Sequence, residues 1–474
     1  MELKKLFRKR EKRKGNDALL SKHIYSSRQK DVETLKAGVL AQKALEVTKH
    51  ILTLFGPRPS GSESCLKAAE KIKDLFSRYC DITTQQDFIH HGDGYISWIG
   101  QMPYVYLLVI ILLFFGFPVT AGLIYVFFAF MVIRQFILYR PISWMEKRFK
   151  GKKGRNVHGI IEPEEEVTHT VLFSAHHDSA PISAFSRTSK KDYLVKVLVP
   201  FGLFFMIGIL LLVQLFVEIF TGRLFAIGFP PVGSVVFLVI FLVCFPLLLP
   251  LKKFFSDEFS PGAGDNLASV AMEIELARFF HWRKENGKAL KHTRVIFASF
   301  DGEEEGLRGS RAWFDKYSSL LKHGLQLNFD CLYDSSELIF LDTDINGTQQ
   351  LSVKFAGKCK QIAQAMGYKV KTGPLPMFCG GTDAAEGYRA GIEACTLMGV
   401  SCEGRSHQYY HTEEDTLDKI DIHALEKAIS LSIRLCQIVD EGRFDEEEII
   451  LDAKTDEDEV SFPELDIHKL TKKD

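Results

Sequence analysis

Three stretches of the chain are too apolar and too long to form the inside of a small water-soluble domain. They read "PYVYLLVIILLFFGFPVTAGLIYVFFAFMVIRQF" (Pro103 to Phe136), "YLVKVLVPFGLFFMIGILLLVQLFVEIF" (Tyr193 to Phe220) and "FAIGFPPVGSVVFLVIFLVCFPLLLPL" (Phe225 to Leu251). A bilayer core takes about 20 apolar helical residues. The second and third stretches each meet that length, with "TGR" in the turn between them. The first is long for one crossing and short for two. Gly116 and Pro118 near its middle predict a hairpin of two short helices. Two transmembrane helical hairpins are therefore expected, over residues 102–139 and 193–251, and the lipid bilayer is the first partner implied. A buried core helix is the competing reading of any apolar block, and this length and apolarity disfavour it.

The flanks of these blocks set an orientation. "YRPISWMEKRFKGKKGRN" follows the first pair, "SRTSKKDY" precedes the second and "LKKFF" follows it, whereas the loops inside each pair carry almost no Lys or Arg. Positive flanks stay in the cytoplasm. The expectation is a multi-pass protein of the inner or plasma membrane, with its polar segments facing the cytoplasm. The basic start, "MELKKLFRKREKRK", is expected to form a mobile tail over residues 1–30, with Leu3, Leu6 and Phe7 able to rest on anionic lipid. The acidic end, 441–474, reads as a second solvated tail. The formal net charge is −1 over 474 residues, which argues against a nucleic-acid partner. Nine cysteines without framework spacing fit free thiols in a reducing compartment.

The polar segments, 31–101, 140–192 and 252–440, alternate between two patterns. "HTVLFSA", "TRVIFASF", "LQLNFDCLY" and "IEACTLMGV" are short Val-, Ile- and Phe-rich runs that read as buried strands. "DNLASVAMEIELARFFHWRKEN" and "GTQQLSVKFAGKCKQIAQAMG" read as amphipathic helices. The fold class expected is α/β, with a mostly parallel central sheet flanked by helices and interrupted by the two helical hairpins. Ligands gather at the carboxyl ends of strands in such folds.

Acids and histidines stand at those positions. "AHHDS" follows the first strand, "GEEEGLRGS" the second, Asp330 ends "LNFD", Asp265 lies in "GAGDN" before a helix, and His411 lies in "YYHTEED". Each alone is ordinary loop polarity. Together they supply the imidazole and carboxylate donors that zinc takes when thiolates are absent. In this order the motifs resemble the zinc metallopeptidases of family 28, which include di-zinc aminopeptidases and glutamate carboxypeptidases. "GPRPSGSESCLKAAEKIKDLF" is similar to that family's opening loop and helix.

The resemblance implies two Zn2+ per chain. Asp265 would bridge them, His176 and Asp330 would complete one site, and Glu304 and His411 the other. Glu303 would be the general base on metal-bound water, with a peptide as substrate and aminopeptidase action favoured. Glu305 is assigned to a solvated loop. Tyr410 is a candidate to stabilise the oxyanion, with Tyr409 as competitor. One departure is "CGGTDAA", where many members carry a His after the Asp and this chain has Ala384. That bears on substrate selectivity. Asp383 and Asp415 are candidate supports of the site.

Alternation along an extended chain places His176 and Asp178 on one side and His177 on the other. Asp178 is therefore expected to fix His176 from outside the metal shell. His176 precedes the second apolar hairpin and Asp265 follows it. If both reach one site, that insert crosses the membrane an even number of times. The competing readings are a single-zinc glutaminyl cyclase of the same fold and a non-catalytic membrane receptor or scaffold. His176 and Asp330, which the cyclase would not need as ligands, count against the first; retention of all five ligands plus Glu303 counts against the second.

Overall fold

In a computed structural model, residues 37–183, 194–222, 232–376, 379–400, 408–447 and 449 are described. The basic tail and the acidic tail beyond residue 449 lie outside them. Eleven strands follow in chain order: β1 (Ile82–His90), β2 (Lys152–Ile161), β3 (His169–His176), β4 (Pro181–Ser183), β5 (Phe255–Phe259), β6 (Thr293–Phe300), β7 (Gly324–Asp330), β8 (Ile339–Asp344), β9 (Gln349–Gln350), β10 (Lys371–Pro374) and β11 (Glu393–Met398). All but β4 and β5, which pair with each other, join one nine-stranded sheet in the order β1-β2-β6-β3-β7-β11-β8-β10, with β9 beside β8.

The four expected buried strands occupy the middle of this sheet and run parallel: β6 with β3, β3 with β7, and β7 with β11. The margins differ from the mostly parallel expectation. β1 pairs antiparallel with β2, β2 with β6, and β8 with β11. For β1 and β2 the cause is the first apolar hairpin, which lies between them in sequence. An insert whose two ends come back together lets its flanking strands pair as a β-hairpin does.

β3 and β7 are buried almost throughout, which is why they read as continuous apolar runs. Phe173 of β3 stacks against Phe297 of β6 and Phe329 of β7, each at 5.8 Å between centroids, and Phe297 in turn meets Phe76 at 6.2 Å. The helix Ala268–Glu285, expected to be amphipathic, is buried on every face from Ala268 to Phe280. It packs between β3 and the helices Glu63–Phe76 and Ile422–Asp440. Its Glu273, Glu275 and Arg278 give it a polar face on paper that the fold does not expose.

Among the described residues, four helices are long and apolar enough to cross a membrane: Asp93–Phe114, Pro118–Ile137, Val195–Phe220 and Ser234–Lys253. The first begins well ahead of residue 102, where the apolar sequence opens. Gly116, at φ +78°, makes the turn before Pro118, so the first block is two helices as expected. The helices share a core built on Trp98, Tyr106, Leu113, Phe128, Phe204, Ile207, Leu238 and Leu248. Tyr106 Oη donates to the Phe241 carbonyl at 2.9 Å and Tyr125 Oη to that of Phe204 at 3.1 Å. Gly208 leaves room for the Tyr125 ring. Outward residues are large and apolar: Leu123 is 69% exposed, Leu212 64% and Val243 74%. An apolar exterior of this kind is compatible with a membrane.

Candidate metal centre

The carboxyl ends of the central strands carry the site. His176 is the last residue of β3 and Asp330 the last of β7. Glu303 and Glu304 sit in the loop after β6, Asp265 in the loop before the Ala268–Glu285 helix, and His411 in a loop at φ +54°. The structure brings these six side chains together. Asp265 lies at the centre, with Oδ1 3.2 Å from His176 Nε2 and Oδ2 3.2 Å from His411 Nε2. His176 Nε2 is 3.9 Å from both Asp330 Oδ1 and Glu303 Oε2. His411 Nε2 is 3.3 Å from Glu304 Oε2. Donor atoms of His176, Asp265 and Glu304 fall within 4.8 Å of one another, as do those of Asp265, Asp330 and Cys331. Cys331 was not foreseen, although it follows Asp330 directly.

Among the described residues, Asp265 Oδ2, Glu304 Oε1 and Asp330 Oδ1 are buried without a hydrogen-bond partner. Such oxygens are costly unless a cation or donor meets them. The electrostatics carry the same mark. Burial, with the charge of Asp265 adding to it against His176, pushes Asp330 up to about 8. Burial also raises Glu303 and Glu304. Burial opposes charge on His411, but Glu304 and Asp265 overcome it and lift the imidazole to about 10. Asp265 is held below the carboxylate range because His176 and His411 outweigh its burial. The donor set therefore crowds more negative charge than its two imidazoles balance, which favours protons on its carboxyls.

A second layer fixes these groups. Asp178 lies 3.4 Å from His176 Nδ1 and accepts from the backbone N–H groups of Glu303 and Glu304, each at 3.2 Å. It is on the His176 side, as alternation requires, and His177 points away to Ser299 Oγ at 2.8 Å. Asp415 accepts from Gly264 N at 2.7 Å and Asp265 N at 3.2 Å, so it holds the Asp265 loop. Arg58, in the opening "GPRPSG", is fully buried and was not foreseen. It donates to the carbonyls of His177 (2.8 Å), Gly262 (2.8 Å) and Pro261 (3.0 Å), clamping two site loops. Gly262, at φ +66°, allows this, since a Cβ there would meet Arg58 at 2.7 Å.

Tyr410 lines the cavity over the cluster and stacks on the His411 ring at 3.8 Å, whereas Tyr409 carries Lys419 over its ring. Asp383 is buried and off the cavity lining. Glu305 departs from the solvated reading. Only 18% of its side chain is exposed, and it pairs with Lys152 at 2.6 Å and His90 at 3.1 Å. Those partners come from β1 and β2, far away in sequence. Lys152 also pairs with Asp93 at 2.6 Å, tying the Glu303–Glu304 loop to the start of the first apolar helix.

The buried acids and histidines thus lie at the carboxyl ends of parallel strands, where α/β sheets gather their ligands. Residues 252–436 match the sequence profile of Peptidase family M28. Similar solved structures include a Zn-dependent exopeptidase from Parabacteroides distasonis, at 13% identity over 84% of this chain and 97% of that one, with a TM-score of 0.46. Others are the Porphyromonas gingivalis glutaminyl cyclase (14%, 85% and 98%, TM-score 0.47) and a leucine aminopeptidase precursor from Bacteroides thetaiotaomicron (13%, 86% and 97%, TM-score 0.47). No curated protein sequence matches the chain.

Proposed function

We propose that the protein is a membrane-embedded zinc peptidase that removes N-terminal residues from peptides, with its site on the cytoplasmic side. The observation that carries this reading is Asp265, whose two oxygens each face a different histidine at 3.2 Å. That geometry suits a carboxylate shared by two ions. His176, Asp265 and Asp330 would hold one, and Asp265, Glu304 and His411 the other. The unpartnered oxygens of Asp265, Glu304 and Asp330 fit such ions, and a carboxylate–imidazole set suits zinc. Zinc in this position supplies Lewis acidity toward the scissile carbonyl and toward water.

The chain's own residues perform the remaining work. Glu303, 3.9 Å from His176, is close enough to the cluster to take a proton from the attacking water and pass it to the leaving amine. Asp178 keeps Glu303 and Glu304 in place through their backbone N–H groups. Tyr410 offers a hydroxyl toward the developing oxyanion. Basic flanks of both hairpins support the cytoplasmic orientation.

The test is zinc content of detergent-purified protein together with hydrolysis of aminoacyl-anilides. Two zinc ions per chain and anilide cleavage are expected. One zinc with cyclisation of N-terminal glutamine would favour the cyclase, and a folded chain that binds no metal would end the peptidase reading. For the orientation, a cysteine at Thr221 should be labelled from outside the cytoplasm only.

A further inference from the structure

The cavity over the cluster, about 600 Å³, is walled on one side by the apolar helices themselves. Ile99 comes from the start of the first helix, Phe136 from the end of the second, Phe201 from the start of the third, and Phe254 and Phe255 from just beyond the fourth. All four helices therefore present the same end to the site, and their turns at Gly116 and Gly222 lie at the other. Phe136, Phe201, Phe254 and Phe255 pack against the bundle core on one side and line the cavity on the other. Trp98, fully buried, supports Phe136 at 5.1 Å and Phe201 at 6.2 Å. A molecule whose polar end reaches His176 and Glu303 lies with its next atoms against this aromatic wall, where bundle and sheet domain meet.

We infer that the substrate is an amphiphile: an aminoacyl amide with a long aliphatic or aromatic group beside the scissile bond, lodged against Ile99, Phe136, Phe201 and Phe254. This rests on the peptidase reading of the same site. A wall of that kind has no use for a small polar residue. It rewards each methylene it covers by about 0.8 kcal/mol, which is about fourfold in kcat/KM.

Two series of substrates test this. In one, the side chain of an aminoacyl-anilide is lengthened stepwise from ethyl to octyl. In the other, the leaving amine is lengthened in the same way. We expect kcat/KM to rise about threefold to fourfold per methylene in at least one series. Ile99→Trp, which fills the cavity, should lower the octyl-to-ethyl ratio at least about tenfold. The ratio is internal, so partial loss of folded protein does not alter it. A flat profile in both series overturns the inference while leaving the peptidase reading intact.

Binding supplies a readout independent of turnover. Titration calorimetry of n-alkylamines with the chain in nanodiscs should give a saturable site that tightens with chain length and weakens in Ile99→Trp. If no anilide is cleaved and no zinc is bound, the peptidase reading fails, and this calorimetry alone decides the inference. A length dependence identical in the Ile99→Trp protein would be partition into lipid and would overturn it.

Discussion

His176 and His177 are neighbours in the chain and belong to two different interiors. On the His176 side, five acids and histidines crowd around Asp265, and three oxygens there, one of them on Asp265 itself, lack a hydrogen-bond partner. On the His177 side, Cys65, His177 and Asp301 also bring donor atoms within 4.8 Å of one another. That second group resembles a metal site by composition. Both of its carboxylate oxygens are already met, however. Asp301 accepts from Ser60 Oγ at 2.7 Å and from Arg155 N at 2.9 Å, and the Arg58 guanidinium stands nearby. Burial and then Arg58 drive the His177 imidazole down to about 3, so it stays neutral. Metal demand is thus read from unmet oxygens rather than from donor types.

The largest effect that sharpens this contrast is loss of the Asp265 carboxylate. Asp265→Ala should abolish zinc binding at both positions and lower kcat/KM at least about a thousandfold. Zinc analysis and anilide hydrolysis on the same sample check it, and full zinc occupancy in the variant would refute the central role given to Asp265. Glu303→Gln comes next. It keeps the shape of the side chain and removes the base, so zinc should remain while kcat falls about 10²–10⁴-fold. Loss of zinc in that variant would make Glu303 a ligand rather than a base.

The third effect separates the two histidines. His176→Ala should lower zinc content, and His177→Ala should leave it nearly unchanged. His177→Ala removes one buried hydrogen bond and a packed ring, worth about 1–3 kcal/mol of stability. The reverse pattern of zinc loss would exchange the two interiors.

Local pattern made one half of this legible in the sequence. Alternation in "SAHHDSA" agrees with the opposite sides that His176 and His177 take at the end of β3. β3, β6, β7 and β11 were legible as apolar runs, and the turn at Gly116–Pro118 as a break in one. What stayed hidden depends on pairings between distant segments. Glu305 looks solvated in "GEEEGLRGS" because Lys152 and His90 approach it only in the folded sheet. Arg58 looks like an ordinary loop residue until three carbonyls from two other loops converge on it. The aromatic wall at Phe136, Phe201 and Phe254 was invisible for a related reason. A phenylalanine at the end of an apolar helix reads the same whether it faces lipid, protein or substrate.

The smallest effect concerns a histidine far from the metal centre and tests whether structural imidazoles here are held neutral. His158 of β2 is buried beside Trp313 and Tyr317, and its Nδ1 accepts the Trp313 indole N–H at 3.1 Å. Burial, with Lys316 adding to it, lowers this imidazole to about 4. The unfolded chain protonates the same group near pH 6.5. Between about pH 6.5 and 4 the unfolded state therefore holds a proton that the folded state does not. Stability is fully present above that window and falls as pH drops through it, with a limiting slope of about 1.4 kcal/mol per pH unit. His158→Gln offers the indole an acceptor that does not titrate, so its stability should fall less steeply on acidification. The metal centre is common to both proteins and its own pH dependence cancels in the difference. Thermal unfolding of the two in detergent, from about pH 7.5 down to about 4.5, should give curves that converge toward the acid end. Parallel curves would mean that His158 is protonated in the fold, with the indole N–H bonded elsewhere.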